Sequence, residues 1–188
     1  MAEGRSRGLP SPRDPVSLLF RFTLDERRRV LFPRGGRVLE IRPGGWSGPE
    51  PDGGFDAAFG PPGALDGAEP ERLGTWVARA LRPRAPVVLC LPGPRPLPDL
   101  LARALTAAPG TASPNARALR EWRARLGPDF AWRRTFALGV LLPGPGRSAW
   151  AGERPLLLGL AAAAERVLRG LPPFRGLGAL AVLEGVRR

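Results

Sequence analysis

Two short apolar segments, joined by a short interval, constrain the fold of this chain more than any other feature. The first is RVLEI at residues 37–41, and the second is FDAAFG at residues 55–60. Both read as buried strands, and only 13 residues, 42–54, lie between them. Parallel neighbours need a crossover of about a dozen residues, and a chain of this length spans at most about 45 Å. A direct link between two parallel strands is therefore feasible.

The first segment opens into a glycine turn. This strand and turn, RVLEIRPGGW at residues 37–46, resemble the first motif of the class I methyltransferases that use S-adenosylmethionine. That motif is a strand, an acidic residue, an apolar residue and then Gly-x-Gly-x-Gly. Glu40 and Ile41 fit the acidic and apolar positions, and Gly44 fits the middle glycine. Arg42 and Trp46 stand where the outer glycines belong, so large side chains replace residues that permit a tight turn and a close approach.

The resemblance implies a three-layer, Rossmann-like α/β sheet and S-adenosylmethionine as the cofactor. In the family, a helix, a second strand, another helix and a third strand fill the interval that residues 42–54 occupy here. The second strand ends in the acid that binds the ribose hydroxyls, and Glu50 and Asp52 lie in a Gly/Pro loop instead. We therefore expect cofactor binding to be weak or lost, with Trp46 occupying part of the pocket. The vestigial cofactor-binding positions are Glu40, Arg42, Gly44, Gly45, Trp46 and Asp56.

The rest of the chain alternates helical and strand patterns. Helices are predicted from an N-cap at Thr23 to Pro33, from Pro70 to Pro83, and over residues 97–105, 113–126 and 156–169 with Gly170 closing the last. Strands are predicted over 86–91, 130–143 and 177–186, the second with an edge position indicated by Arg133 and Arg134. The resemblance implies five strands in the family order 1-4-5-7-6, the last pair antiparallel. LRPRAP resembles the family's L-x-P-G-G turn, with Arg84 and Ala85 in place of the glycines.

Length and composition indicate one domain, residues 14–188, preceded by a flexible tail over residues 1–13. The net charge is +12, but all 29 basic residues are arginine, and Lys, His, Tyr and Gln are absent. Such narrow usage indicates codon bias of a high-GC genome or a heat-adapted source. The charge alone therefore does not identify a partner.

Several chemistries are excluded by the residues that are missing. The chain has no histidine and a single cysteine, which excludes a His-based triad and leaves almost no ligands for zinc. Cys90 lies within PVVLCL and is expected to be a buried small hydrophobe. A general base would have to be a carboxylate, and Asp56, Asp66 and Glu69 are nearest to the expected site.

An acidic block follows the glycine turn. Residues 49–71 contain six acids and no arginine, and we expect them at the edge where the first two strands end. Two interpretations remain open: a solvated loop, or a site for a cationic ligand or an arginine-rich partner.

Three functions are compatible with these patterns. The first is a degenerate methyltransferase-like protein that is not catalytic and acts as an interaction or regulatory subunit. The second is an active small methyltransferase, and the third is an arginine-rich nucleic-acid-binding module. No apolar stretch approaches the length of a membrane span, and the first residues lack the apolar core of a signal peptide, so we expect a cytoplasmic protein without a membrane partner.

The missing second strand also predicts a partner. Without it, residues 37–41 form an uncovered edge strand whose apolar side chains are typical of a protein core. A strand from another chain can add to such an edge. Either the segment 16–32 covers this edge, or a second polypeptide does. That polypeptide would be an intact methyltransferase or a second copy of this chain.

Overall fold

A mixed sheet of five strands forms the centre of a computed structural model of the chain, which describes residues 15–44, 52–93, 119–142, 155–169, 171, 174 and 178–188. The elements are α1 (Pro15–Leu31), β1 (Val38–Glu40), β2 (Ala57–Gly60), α2 (Pro70–Ala80), β3 (Pro86–Pro92), α3 (Leu119–Arg125), β4 (Phe130–Leu138), α4 (Pro155–Leu168) and β5 (Leu180–Arg187). The expectation of an α/β domain with about five strands is confirmed. The expectations for residues 1–13, Gly45, Trp46, 97–105, 113–118 and Gly170 lie outside the described residues.

The strands lie side by side in the order β1-β2-β3-β5-β4. The first three are parallel, with Leu39 of β1 opposite Ala58 of β2. β5 runs antiparallel to both of its neighbours, because Val182 lies opposite Cys90 of β3 on one side and Phe136 of β4 on the other. Among the described residues, β1 and β4 are therefore the two edges of the sheet.

β3 is buried on both faces, as its continuous apolar run predicted. Val87 and Leu89 pack on one side of the sheet, and Val88 and Cys90 pack on the other. Burial raises the pKa of the Cys90 thiol, because the thiolate would lose its hydration. The interpretation of Cys90 as a small hydrophobe rather than a nucleophile agrees with this environment.

Helices cover both faces of the sheet. α2 and α3 pack on the first face through Leu73, Val77 and Trp122, with Leu126 just beyond α3. The opposite face is covered by α1 through Val16, Phe20 and Leu24, and by α4 through the partly buried Leu158 and Ala161. The buried apolar side chains of α1, α2 and α3 therefore meet the sheet, whereas most of the large apolar side chains of α4, Leu156, Leu157, Leu160 and Val167, are exposed.

The first helix begins earlier than the sequence predicted. α1 starts at Pro15, so Thr23 lies in its middle, where its hydroxyl donates to the carbonyl oxygen of Leu19 at 3.0 Å. Thr23 is therefore not an N-cap. Val16, Phe20 and Leu24 recur every four residues and face the sheet. This packing stabilises helical turns before Thr23, so the helix begins ahead of the residue that resembles an N-cap. The helix ends at Leu31, shortly before Pro33, as predicted.

The strand predicted over residues 130–143 is shorter in the structure. β4 ends at Leu138 because Gly139 has a φ of 75°, which turns the chain away from the strand direction. The next two backbone N–H groups, of Val140 and Leu141, donate to the carboxylate of Glu165 at 2.9 Å each. A register shift lies between Trp132 and Arg134, and the predicted edge position of this strand is confirmed.

The turn before β3 contains a backbone conformation that arginine rarely adopts. Arg84 is exposed and has a φ of 64°, the left-handed region that favours glycine. Its N–H donates to the carbonyl oxygen of Arg187 at 2.9 Å, which joins the start of β3 to the end of β5. The conformation is therefore held by the sheet although the residue disfavours it.

We expect Arg84→Gly to raise the free energy of unfolding by about 0.5 to 1 kcal/mol, because relief of the left-handed strain exceeds the extra chain entropy of glycine. Urea denaturation followed by circular dichroism measures this change. The adjacent substitution Ala85→Gly is the matched control. Ala85 is buried and does not have a positive φ, so glycine there should lower stability. A neutral or destabilising Arg84→Gly would contradict the assigned strain.

Candidate functional site

The carboxyl ends of β1 and β2 are where the sequence placed the cofactor site. Glu40 closes β1 and lies opposite Phe59 of β2. Its carboxylate accepts a hydrogen bond from Arg28 of α1 at 2.8 Å, and its side chain is 58% exposed. The guanidinium carbon of Arg28 also lies 4.5 Å from the centre of the Phe59 ring. Glu40 is thus directed toward the α1 face and tied to a helix.

The turn after β1 contains a glycine in the left-handed conformation, at the position of the middle glycine in the motif that the sequence resembles. Arg42 and Gly44 are exposed, and Gly44 has a φ of 71°. A Cβ built on Gly44 meets no atom within 4 Å, so its backbone conformation, rather than a close approach, requires glycine here. Gly45 and Trp46, and with them the expectation that Trp46 occupies the pocket, lie outside the described residues.

Apolar side chains fill the space beside the end of β2. A Cβ at Gly60 would lie 3.2 Å from Leu89, 3.5 Å from Leu65 and 3.6 Å from Ile41. Leu65 belongs to the loop after β2, where consecutive turns join Pro61 to Ala68. It is 1% exposed, as is Ile41. On the α2 face, this end of the sheet is therefore packed core rather than a polar ligand site.

Asp56 occupies a different end of the sheet from Glu40. It precedes β2, at the amino ends of the parallel strands, and its carboxylate accepts from the backbone N–H of Arg37 at 2.9 Å and from Arg82 at 2.6 Å. Three strand residues separate it from the level of Glu40, a distance of about 10 Å. The expectation that Asp56 lies near the cofactor site is therefore wrong, because the strand begins, rather than ends, at this residue.

The acidic block does not form one surface. Asp66 and Glu69 are exposed in the loop after β2, at the carboxyl edge. Glu71 lies in the first turn of α2, where its carboxylate accepts from Arg125 of α3. Asp56 and Glu71 therefore make separate contacts, and the expectation of a common acidic edge is wrong for Asp56, which is bonded at the opposite end of the strands.

The described residues do not fit S-adenosylmethionine. In the family, a carboxylate at the end of the strand beside β1 binds the ribose, and no described strand lies on that side of β1. Glu40 is bonded to Arg28, and Asp56 is bonded at the other end of its strand. We therefore derive no methyl transfer from this geometry.

One side of β1 pairs with no described strand, and this edge is the most distinctive feature of the region. The carbonyl oxygen of Arg37 accepts from Asp56 N–H at 2.8 Å, and Ile41 N–H donates to Phe59 at 2.9 Å. These odd-numbered residues bond β2, so the backbone groups of Val38 and Glu40 point away from the sheet. α1 packs on a face of the sheet through its apolar stripe and does not pair with β1.

Two buried carboxylates were missed by sequence reasoning. Glu184 of β5 is 4% exposed and accepts from Arg27 through both of its oxygens, at 2.6 and 2.7 Å. Glu165 of α4 is 5% exposed and fastens α4 to the turn after β4. Each is the single acid within an apolar run, LLLGLAAAAERVL or ALAVLEGV. An isolated acid in such a run indicates a buried, hydrogen-bonded carboxylate, and this pattern could have identified both residues.

Other classes of site receive no support from the described part of the chain. No group of three or more His, Cys, Asp or Glu side chains is arranged there to hold a metal ion. None of the helices α1 to α4 has the length and apolar character needed to cross a bilayer.

The fold and the site together define the class of this protein as α/β, with an open mixed sheet whose first strand is an edge. No protein-family model matches the sequence, and no curated protein matches it significantly.

Proposed function

We propose that this chain is a degenerate class I methyltransferase-like protein that is not catalytic and acts as an interaction or regulatory subunit. The proposal is supported by the order of the strands, in which residues 38–40, 57–60, 86–92, 180–187 and 130–138 follow one another across the sheet. This succession agrees with the family order 1-4-5-7-6. The antiparallel strand is the last in the chain, as it is in the family.

The observation that carries the proposal is the direct pairing of β1 with β2. Only 16 residues, 41–56, lie between these strands, which is too few for two helices and two strands. The half of the sheet that would bind the ribose is therefore missing, while the half that follows it remains. Loss of cofactor binding with retention of a folded scaffold favours an interaction role.

Arg84 supports descent from a glycine-containing turn. It corresponds to a glycine of the family's L-x-P-G-G turn, and its φ of 64° is one that glycine adopts without strain. A protein that has diverged from its family is expected to keep a backbone conformation even where the glycine that favours it has been replaced.

The first test is cofactor binding by the isolated chain. We expect S-adenosylmethionine to bind far more weakly than micromolar, because each of several lost hydrogen bonds is worth about 1 to 3 kcal/mol. Isothermal titration calorimetry measures the dissociation constant, with an active class I methyltransferase as the positive control. Saturable binding in the low micromolar range would overturn the non-catalytic proposal and favour an active enzyme.

The second test concerns the edge of β1. We propose that a second copy of this chain, or an intact methyltransferase, adds to this edge and buries on the order of 1,500 Å². Size-exclusion chromatography with light scattering distinguishes a 20.1 kDa monomer from a dimer. The same measurement on a mixture with a purified, intact class I methyltransferase tests the second candidate partner.

Two substitutions at one position separate edge pairing from side-chain contacts. Glu40→Pro removes an N–H that points away from β2, whereas Glu40→Ala keeps it, and both lose the ion pair with Arg28. We expect only the proline variant to abolish association while its far-UV circular dichroism stays unchanged. A wild-type chain that remains a monomer alone and in the mixture would contradict the docking proposal.

A further inference from the structure

A crevice of about 390 Å³ lies between α1 and the end of α4, on the face of the sheet that these helices cover. It is lined by Phe22, Asp25, Glu26, Arg29, Arg166 and Arg169. Three arginines and two acids therefore surround one space, with an aromatic side chain beside them.

Arg169 is a half-buried cation that lacks a carboxylate partner among the described residues. Its guanidinium carbon lies 5.5 Å from the centre of the Phe136 ring, and that of Arg134 lies at the same distance. Burial lowers the pKa of Arg169, and the nearby positive charge of Arg134 lowers it further. Two guanidinium groups thus lie against one aromatic ring.

The two buried acids among the described residues are already bonded elsewhere. Both carboxylate oxygens of Glu184 accept from Arg27, and those of Glu165, one turn before Arg169, accept from the backbone N–H groups after β4. Of the acids that line the crevice, Glu26 raises the pKa of Arg169, while the positive charges of Arg134 and Arg166 lower it. The lining carries three arginines against two acids, with Arg169 and Asp25 half-buried, so an added anion would balance the excess positive charge.

We propose that this crevice binds the oxyanion of a small organic molecule, a phosphate monoester or a carboxylate, between Arg166 and Arg169. Guanidinium groups donate paired hydrogen bonds to either oxyanion. Phe22 is 62% exposed at the same crevice and offers a surface for the apolar part of the ligand. The site does not depend on the function proposed above, because it uses neither the β1 edge nor the glycine turn.

Isothermal titration calorimetry at low ionic strength, where screening is weakest, tests the site with three probes: inorganic phosphate, phenyl phosphate and benzoate. We expect phenyl phosphate or benzoate to bind saturably at about 1 mM or tighter, and better than inorganic phosphate. Comparison of the two aromatic probes decides between a phosphate and a carboxylate ligand.

Arg166→Ala and Arg169→Ala should each weaken binding about tenfold or more, since hydrogen bonds to charged groups are the strong ones. Arg166 is exposed, so its variant keeps the test valid if Arg169→Ala impairs folding. Arg120→Ala, at an exposed position on α3, is the matched control and should bind as the wild type does. Phe22→Ala should remove the advantage of the aromatic probes. Absence of saturable binding, or equal loss in the Arg120 control, would overturn the proposal.

Discussion

Replacing Arg27 with methionine is expected to lower the free energy of unfolding by about 3 kcal/mol, because a buried carboxylate loses its partner. The Glu184 side chain is 5% exposed, and both of its oxygens accept from Arg27. Arg27 itself is 20% exposed, so water compensates part of the change, and we expect the lower end of the range for broken buried pairs. This hydrogen bond also raises the pKa of Arg27, which keeps the guanidinium charged.

Urea denaturation of Arg27→Met and of the double variant Arg27→Met, Glu184→Leu measures the effect. The double variant removes both charges and should recover most of the lost stability, since an apolar pair of similar volume often replaces a buried ion pair at little cost. Arg21→Met is the matched control, because Arg21 is exposed on the same helix. A loss below about 1 kcal/mol in Arg27→Met would mean that the pair behaves as a surface salt bridge.

Gly74→Ala is expected to lower the free energy of unfolding by about 3 kcal/mol, because a Cβ at this position has no room. Gly74 lies within α2, and its Cβ would stand 2.0 Å from the carbonyl oxygen of Leu126 and 2.8 Å from the carbonyl carbon. These are backbone atoms, which cannot rotate away as a side chain can. The segment from α3 to Leu126 would have to move away from α2, which loosens the packing of Trp122 and Leu126.

Gly159→Ala provides the control for this prediction. Gly159 also lies within a helix, α4, but nothing stands within 4 Å of its Cβ position. Alanine there should raise stability by up to about 1 kcal/mol through helix propensity alone. Thermal unfolding of both variants separates the clash from the propensity. Equal shifts in the two would show that the close approach of α2 to Leu126 is not required for the fold.

The local elements of this protein were largely readable from its sequence. The apolar run of β3 predicted a strand buried on both faces, and Pro70 and Pro83 bounded α2 correctly within a few residues. These features depend on neighbours in the chain, through spacing and through proline, so the sequence contains their causes. The start of α1 was misread because its cause, the sheet beneath Val16 and Phe20, is remote in sequence.

The candidate site was less predictable than the fold. The type and spacing of residues identified the turn with Glu40 and Gly44, but they did not reveal which carboxylates were already bonded. Asp56 lies just before the beginning of its strand, so it is at the opposite end of the parallel strands from Glu40. The partners of Glu165 and Glu184 come from elements at least 24 residues away.

The sequence by itself determined that the first two strands lie a short interval apart, which leaves no room for two further strands and two helices between them, since chain length limits what can fit. Tertiary structure alone decided which strands are edges among the described residues, which acids are buried, and where three arginines and two acids line one crevice. The physical reason is that periodicity and turn chemistry act between neighbouring residues, whereas the energy of a charge depends on the elements that surround it after folding.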